Sequence, residues 1–299
     1  MKYVRTPDSQ FASLSDWPYQ PHYADYQGMR HHYVSEGPAG SKVAMLIHGE
    51  PTWSYLFRKM IPGLREAGFR CVVPDHMGFG RSDKPVDDDW YVIARHYEAL
   101  RQLITGLDLR DITLFVHDRG GSIGLRQVID MPERFSRVVI FNTWLHRDDY
   151  VYAPKILWWR EAATDAKQLG GDMPTGDIVA KFLCRPGHDA AHVKKGFDAP
   201  FTDFSSKAGA RRFPYLLPFA QPVLGEAKAQ AETFVELQKL NLPFHFVWGD
   251  SDELLSVPSG QAWCKTLKNA SFDVVTGAGH FVPEEAGTEM VPLLLKYLR

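Results

Sequence analysis

Six short apolar runs, each closing on glycine or polar residues, constrain this chain more than any other feature. They are KVAMLIHGEP (42–51), FRCVVPDHMGFGRSDKP (69–85), ITLFVHDRGG (112–121), RVVIFNTW (137–144), FHFVWGDSD (244–252) and FDVVTGAGHF (272–281). Their centres are β-branched and do not alternate with polar residues. Strands of that kind are buried on both faces, as in a parallel sheet covered by helices. Helical stretches at 53–67 and 90–107 separate the early runs. Strand–helix alternation predicts a doubly wound α/β domain. Such sheets hold their chemistry at the carboxyl ends of the strands, and HGEP, DHMGFG, HDRGG, GDSD and GAGH all fall there.

The alternation breaks between about residues 145 and 215, where the sequence reads as helices and loops with no buried strand until 244. The expected organisation is therefore a core of residues 1–144 and 216–299, with a helical cap at 145–215 inserted after the sixth or so strand. A net charge of -2 gives no reason to expect nucleic acid or an anionic membrane as partner. No apolar window approaches the roughly 18 residues of a membrane span, and MKYVRTPDSQFASL lacks the apolar run of a signal peptide. Cys71, Cys184 and Cys264 lack metal-ligand spacing and read as reduced thiols in a cytoplasmic protein.

FVHDRGG (115–121) is a strand running into a glycine-lined turn with Asp118 at its tip. A nucleophile elbow needs small residues so that a strained turn can pack against the following helix, and Gly120, Gly121 and Gly124 supply them. Taken alone, Asp118 could equally be the N-cap of a helix. Two other strand ends change the weighting. His280 follows the last run in GAGH, and Asp252 follows the preceding run in GDSDELL. The chain order nucleophile, acid, histidine is that of α/β-hydrolases. Asp250 rivals Asp252 for the acid; Asp252 is favoured because it lies far enough past the strand to turn back toward the histidine. The backbone amides of Glu50, in HGEP, and of Arg119 are the expected oxyanion hole. A carboxylate nucleophile is already ionised at neutral pH and displaces a leaving group from saturated carbon. The product is an alkyl ester on Asp118, which His280, held by Asp252, would hydrolyse as general base.

The residues then resemble the haloalkane dehalogenases of the α/β-hydrolase superfamily. HGEPTWSYLFRKMIP (48–62), GFGRSDKP (78–85), LDLRDITL (107–114) and AGHFVPEE (278–285) carry the likeness, with RTPDSQF (5–11) and DAPFTD (198–203). Asn142 stands where another subfamily has a glutamate acid, in agreement with Asp252. The resemblance implies hydrolysis of a small haloalkane, with halide as a product. It also implies a cap tryptophan on the halide, for which Trp159 fits best and Trp158 is the rival. The departure is Arg119, where the family carries a tryptophan whose indole also binds halide. Arg119 offers N–H donors on a long charged stem. An aspartate–arginine elbow is similar to haloacid-cleaving relatives, in which arginine binds the substrate carboxylate; their second arginine corresponds here to Ser122, leaving half of that clamp. Epoxide hydrolases, third in order, usually need two cap tyrosines, and Tyr150, Tyr152 and Tyr215 match no such pattern. Outside enzymes, a ligand-binding protein on the same fold is the alternative, but no triad member is lost.

Weaker signals point elsewhere less well. HDAAH (188–192) spaces two histidines as for zinc but lacks the glutamate and a third ligand. GFG fails the spacing of a dinucleotide loop, and no GxSxG occurs. The reading calls for neither metal nor cofactor.

Overall fold

The computed structural model describes residues 1–298. Its centre is an eight-stranded sheet: β1 (His22–Tyr26), β2 (Met29–Glu36), β3 (Val43–Ile47), β4 (Arg70–Pro74), β5 (Ile112–His117), β6 (Phe135–Phe141), β7 (Phe244–Gly249) and β8 (Ala270–Val275). The spatial order is β8-β7-β6-β5-β3-β4-β2-β1. Strands β3 to β8 are mutually parallel, and β2 and β1 are added antiparallel at one edge. VAMLI, ITLFVH and FHFVWG are buried along their whole length, as their lack of alternation required. The edge strand β8 is only partly covered.

The hairpin β1–β2 was not among the expected strands. HYADY and MRHHYVSE carry histidine, arginine and glutamate, and they lack the continuous apolar centre of the others. A stronger local signal was the turn: Gln27 and Gly28 both take positive φ, 56° and 80°, which a two-residue hairpin turn requires.

Helices α1 (Ile61–Glu66), α2 (Ile93–Gly106) and α3 (Arg119–Asp130) fall within the first half. Between β6 and β7 lie α4 (Pro154–Thr164), α5 (Thr175–Lys181), α6 (Ala190–Asp198), α7 (Ala208–Tyr215) and α8 (Ala227–Leu237). In this excursion α4 packs on α7 and α5 on α6, while α8 returns to pack against α3. Helices α9 (Val257–Cys264) and α10 (Val282–Leu298) complete the fold.

Loops at the strand ends are pinned by a buried carboxylate. Asp75, just past β4, accepts from the amides of Ser54 and Arg81 (both 2.8 Å) and meets His32 Nδ1 at 2.6 Å. Burial opposes its charge, yet His32, His48 and the Ser54 amide hold its carboxyl below the usual range. Beside it His48, His76 and His96 form an interior file, with ring centroids 4.4 and 5.6 Å apart. Neither ring nitrogen of His96 has a partner.

Candidate active site

The turn between β5 and α3 is sharp because Asp118 sits at φ 48°, ψ -126°. A non-glycine residue there costs on the order of 1–3 kcal/mol and persists only when its surroundings hold it. The Asp118 amide donates to the carbonyl of Asn142 at 3.1 Å, and the Thr143 hydroxyl donates to the Asp118 carbonyl. Close approach does the rest. A Cβ on Gly120 would fall on the carbonyls of Ile47 and His48, and one on Gly49 would meet the Asp118 side chain and, at 2.7 Å, the Arg119 amide nitrogen.

The turn presents the Asp118 carboxylate to His280, whose Nε2 is 3.5 Å from Asp118 Oδ2. On the other side of the ring, His280 Nδ1 meets Asp252 Oδ2 at 2.9 Å. Asp252 is itself oriented: its Oδ1 accepts from the amides of Leu254 (2.7 Å) and Leu255 (3.2 Å), and its Oδ2 from Asn142 Nδ2 (2.6 Å). The three residues that sequence reasoning grouped are thus brought together. The rival Asp250 lies apart, accepting from the Gly277 amide at 2.7 Å. Burial works against the Asp118 anion, but the hydrogen bond and charge of His280, with His117 and the Glu50 amide, bring its carboxyl down to about 2. Burial likewise opposes the His280 cation; the two aspartates outweigh it and lift the imidazole to about 10.

The Glu50 amide donates to Asp118 Oδ1 at 2.7 Å, and the Arg119 amide opens α3, where N–H groups have no partner within the helix. The Glu50 amide thus lies against the carboxyl group that an ester would occupy. Glu50, Asp118 and His280 floor a pocket whose walls include Trp144, Trp159, Phe182 and Leu217. Trp159 lines it; Trp158 does not, and lies instead 38% exposed under Lys155 Nζ at 4.7 Å.

The Arg119 side chain goes elsewhere. Its Nη2 donates to the Phe213 carbonyl at 2.9 Å, its guanidinium lies 5.8 Å from the rings of Trp144 and Phe213, and it is not part of the pocket wall. Tyr150, Tyr152 and Tyr215 are also absent from that wall, and the Tyr152 hydroxyl pairs with His146 Nδ1 at 2.8 Å. His192 is tied to Asp16 at 2.8 Å and His188 to the Arg185 carbonyl at 2.8 Å; among the described residues no cluster suited to a metal ion is found.

Two residues escaped sequence reasoning. Trp144, two places after Asn142, forms part of the pocket wall; the run RVVIFNTW hinted at it only by ending on an aromatic at a strand's carboxyl end. Glu285 accepts from the amides of Gly279 (2.6 Å), Cys184 (2.8 Å) and Arg185 (2.6 Å), fixing the loop that carries His280. Its partners are all backbone and leave no signature in the sequence.

Comparison with known proteins shows the family. Residues 43–286 match the alpha/beta hydrolase fold family. Over 307 residues the chain is 37% identical to a haloalkane dehalogenase of Psychrobacter cryohalolentis, covering 100% of this chain and 98% of that protein. Haloalkane dehalogenase 1 of Mycobacterium bovis is 38% identical over 304 residues, covering 99% of each chain. The solved structure of the haloalkane dehalogenase DpaA from Paraglaciecola agarilytica NO2 superposes with a TM-score of 0.91 at 33% identity, covering 99% of this chain and 98% of that one.

Proposed function

This chain belongs to the haloalkane dehalogenases of the α/β-hydrolase fold, and from that premise we propose that Asp118, His280 and Asp252 carry out its reaction. The reaction is hydrolysis of a small haloalkane to alcohol, halide and a proton. The observation that carries the assignment is one imidazole bridging two carboxylates, 3.5 Å from Asp118 and 2.9 Å from Asp252, at the floor of a mainly apolar pocket.

Asp118 Oδ attacks the halogen-bearing carbon; a C–O bond forms, the carbon–halogen bond breaks, and halide leaves with the electron pair. The Asp118 charge is now gone, and with it one of the two anions that supported the His280 cation. The imidazole thereby becomes a usable base once its proton is lost to solvent. It takes a proton from water as the water oxygen attacks the ester carbonyl. The amides of Glu50 and Arg119 hold the resulting oxyanion; collapse expels the alkoxide, which takes the proton of the new Asp118 carboxyl group, giving the alcohol and restoring the carboxylate. Trp159 supplies an indole N–H for the halide. Helices α4 to α7 serve as the cap, within residues 145–215, over a core of 1–144 and 216–299. The cytoplasm is the setting this reading takes, in keeping with three unpaired thiols.

A haloacid substrate would need Arg119 to release the Phe213 carbonyl and swing into the pocket, so a haloalkane is the better fit. The test is halide release from a small bromoalkane and from bromoacetate in parallel, with Asp118→Ala as blank. Mass spectrometry of His280→Gln should also find the alkyl ester trapped on the peptide carrying Asp118. Release from the acid alone would overturn the substrate assignment, and a trapped adduct elsewhere would overturn the nucleophile.

A further inference from the structure

Displacement moves a full negative charge from Asp118 onto the halide, and the pocket needs donors where that charge arrives. Trp159 is one. The elbow residue does not provide another, because the Arg119 guanidinium is turned to the Phe213 carbonyl and lies outside the wall. Glu50 is a wall residue next to Asp118, its side chain is buried, and its Oε1 has no partner. A carboxylate there would stand unpaired beside a second carboxylate, in a site where Asp118 and Asp252 already balance His280 and Arg119. With Glu50 neutral, those four buried charges sum to zero.

We propose that the Glu50 side chain, as a neutral carboxylic acid, donates the hydrogen bond that receives the departing halide. Its backbone amide serves the oxyanion in the second half-reaction and its side chain serves the halide in the first. Burial, then the charge of Asp118, raises the Glu50 carboxyl well above its ordinary value, with Arg119 and His280 pulling the other way. The groups facing it are thus Asp118 from the elbow, Arg119 from the start of α3 and His280 from the loop after β8. A neutral acid suits this position because it gives an O–H to an anion, whereas an ionised one would repel both the halide and the Asp118 it sits beside.

The inference rests on the dehalogenase reading above, and its test is independent of turnover. Bromide binding is followed by quenching of tryptophan fluorescence across the alkaline range, in wild type, Glu50→Gln and Glu50→Leu, each checked for folding by circular dichroism. In wild type, affinity should fall about tenfold per pH unit once Glu50 ionises. Glu50→Gln, which keeps a donor that cannot titrate, should bind bromide at neutral pH and lose that alkaline fall. Glu50→Leu should bind at least about tenfold more weakly at every pH, as expected for a lost hydrogen bond to an anion. An alkaline fall that survives in Glu50→Gln would assign it to His280 and overturn the proposal, as would bromide affinity unchanged in Glu50→Leu. Wild-type enzyme that neither binds bromide nor releases it from a bromoalkane would instead defeat the dehalogenase reading itself.

Discussion

Acid should unfold this protein well before its carboxylates are titrated, and the buried histidines set the slope. Burial is the leading cause that lowers His31 and His117 to about 4 and His96 to about 3. In the unfolded chain each would titrate near about 6.5. A group whose folded value is depressed below its unfolded value binds more protons when unfolded, so lowering the pH through that gap favours unfolding. At about pH 5 the unfolded chain then holds close to one extra proton at each site, about 2.7 in all, which makes stability fall by about 3.7 kcal/mol per pH unit. His48 and His76 shift in the same direction and steepen the fall. His280 does not oppose it: raised to about 10, it is protonated in both states at that pH, and its contribution is already complete. Asp118 and Asp16, each held at about 2, add their loss only at lower pH. A domain with a total stability of roughly 5–15 kcal/mol cannot survive more than a few pH units on such a slope. Urea unfolding by circular dichroism at closely spaced pH values measures it directly. His96→Phe supplies the internal control, because both ring nitrogens are unpartnered and Phe213 lies 4.7 Å away, centroid to centroid. The variant should flatten the slope by about one proton, about 1.3 kcal/mol per pH unit. Stability that stays level between about pH 6.5 and 5, or a His96→Phe slope equal to wild type, would refute the reasoning.

Other variants probe the site. Asp252→Asn keeps an acceptor for the Leu254 and Leu255 amides but removes the charge behind His280. It should slow ester hydrolysis by about 10²–10⁴-fold and show a burst of one halide per site; unchanged steady-state turnover would argue against Asp252 as the acid. Trp159→Phe should weaken bromide binding by about tenfold, the cost of one lost hydrogen bond to an anion, while Trp158→Phe should leave it unaltered. The reverse pattern would exchange their roles. Glu285→Ala strands three backbone amides, those of Gly279, Cys184 and Arg185, and should cost about 1–3 kcal/mol in urea unfolding. It should also lower kcat more than it raises KM, whereas Glu285→Gln should recover part of both; a loss confined to stability would make Glu285 purely structural.

What the sequence made legible follows from where the determinants lie. The parallel strands announced themselves because burial on both faces forces continuous apolar runs, and the elbow did so because its strained turn demands glycines beside Asp118. The order Asp118, Asp252, His280 could be read because each residue follows the carboxyl end of a strand. The hairpin at 22–36 was missed because its strands interrupt any apolar run with polar residues: Arg30 and Glu36 stay partly exposed, and His31 is buried without being apolar. The path of the Arg119 side chain depends on the Phe213 carbonyl, about a hundred residues away, and no local pattern encodes that contact. Glu50 illustrates the same limit: its amide was expected from HGEP, but the state of its side chain depends on the charges that the fold gathers around it.

The reach of Glu285 has a mechanical consequence. One of its oxygens is held by the amide of Gly279, next to the catalytic imidazole, and the other by amides at 184 and 185 in the link between α5 and α6. The segment that follows the pocket residue Phe182 and the loop that carries His280 are thereby fastened to a single carboxylate. Displacing that segment to admit a bulky substrate would slacken the same bolt that sets His280 at its working distance from Asp118. Ligands that push that segment outward should therefore bind more readily than they are turned over.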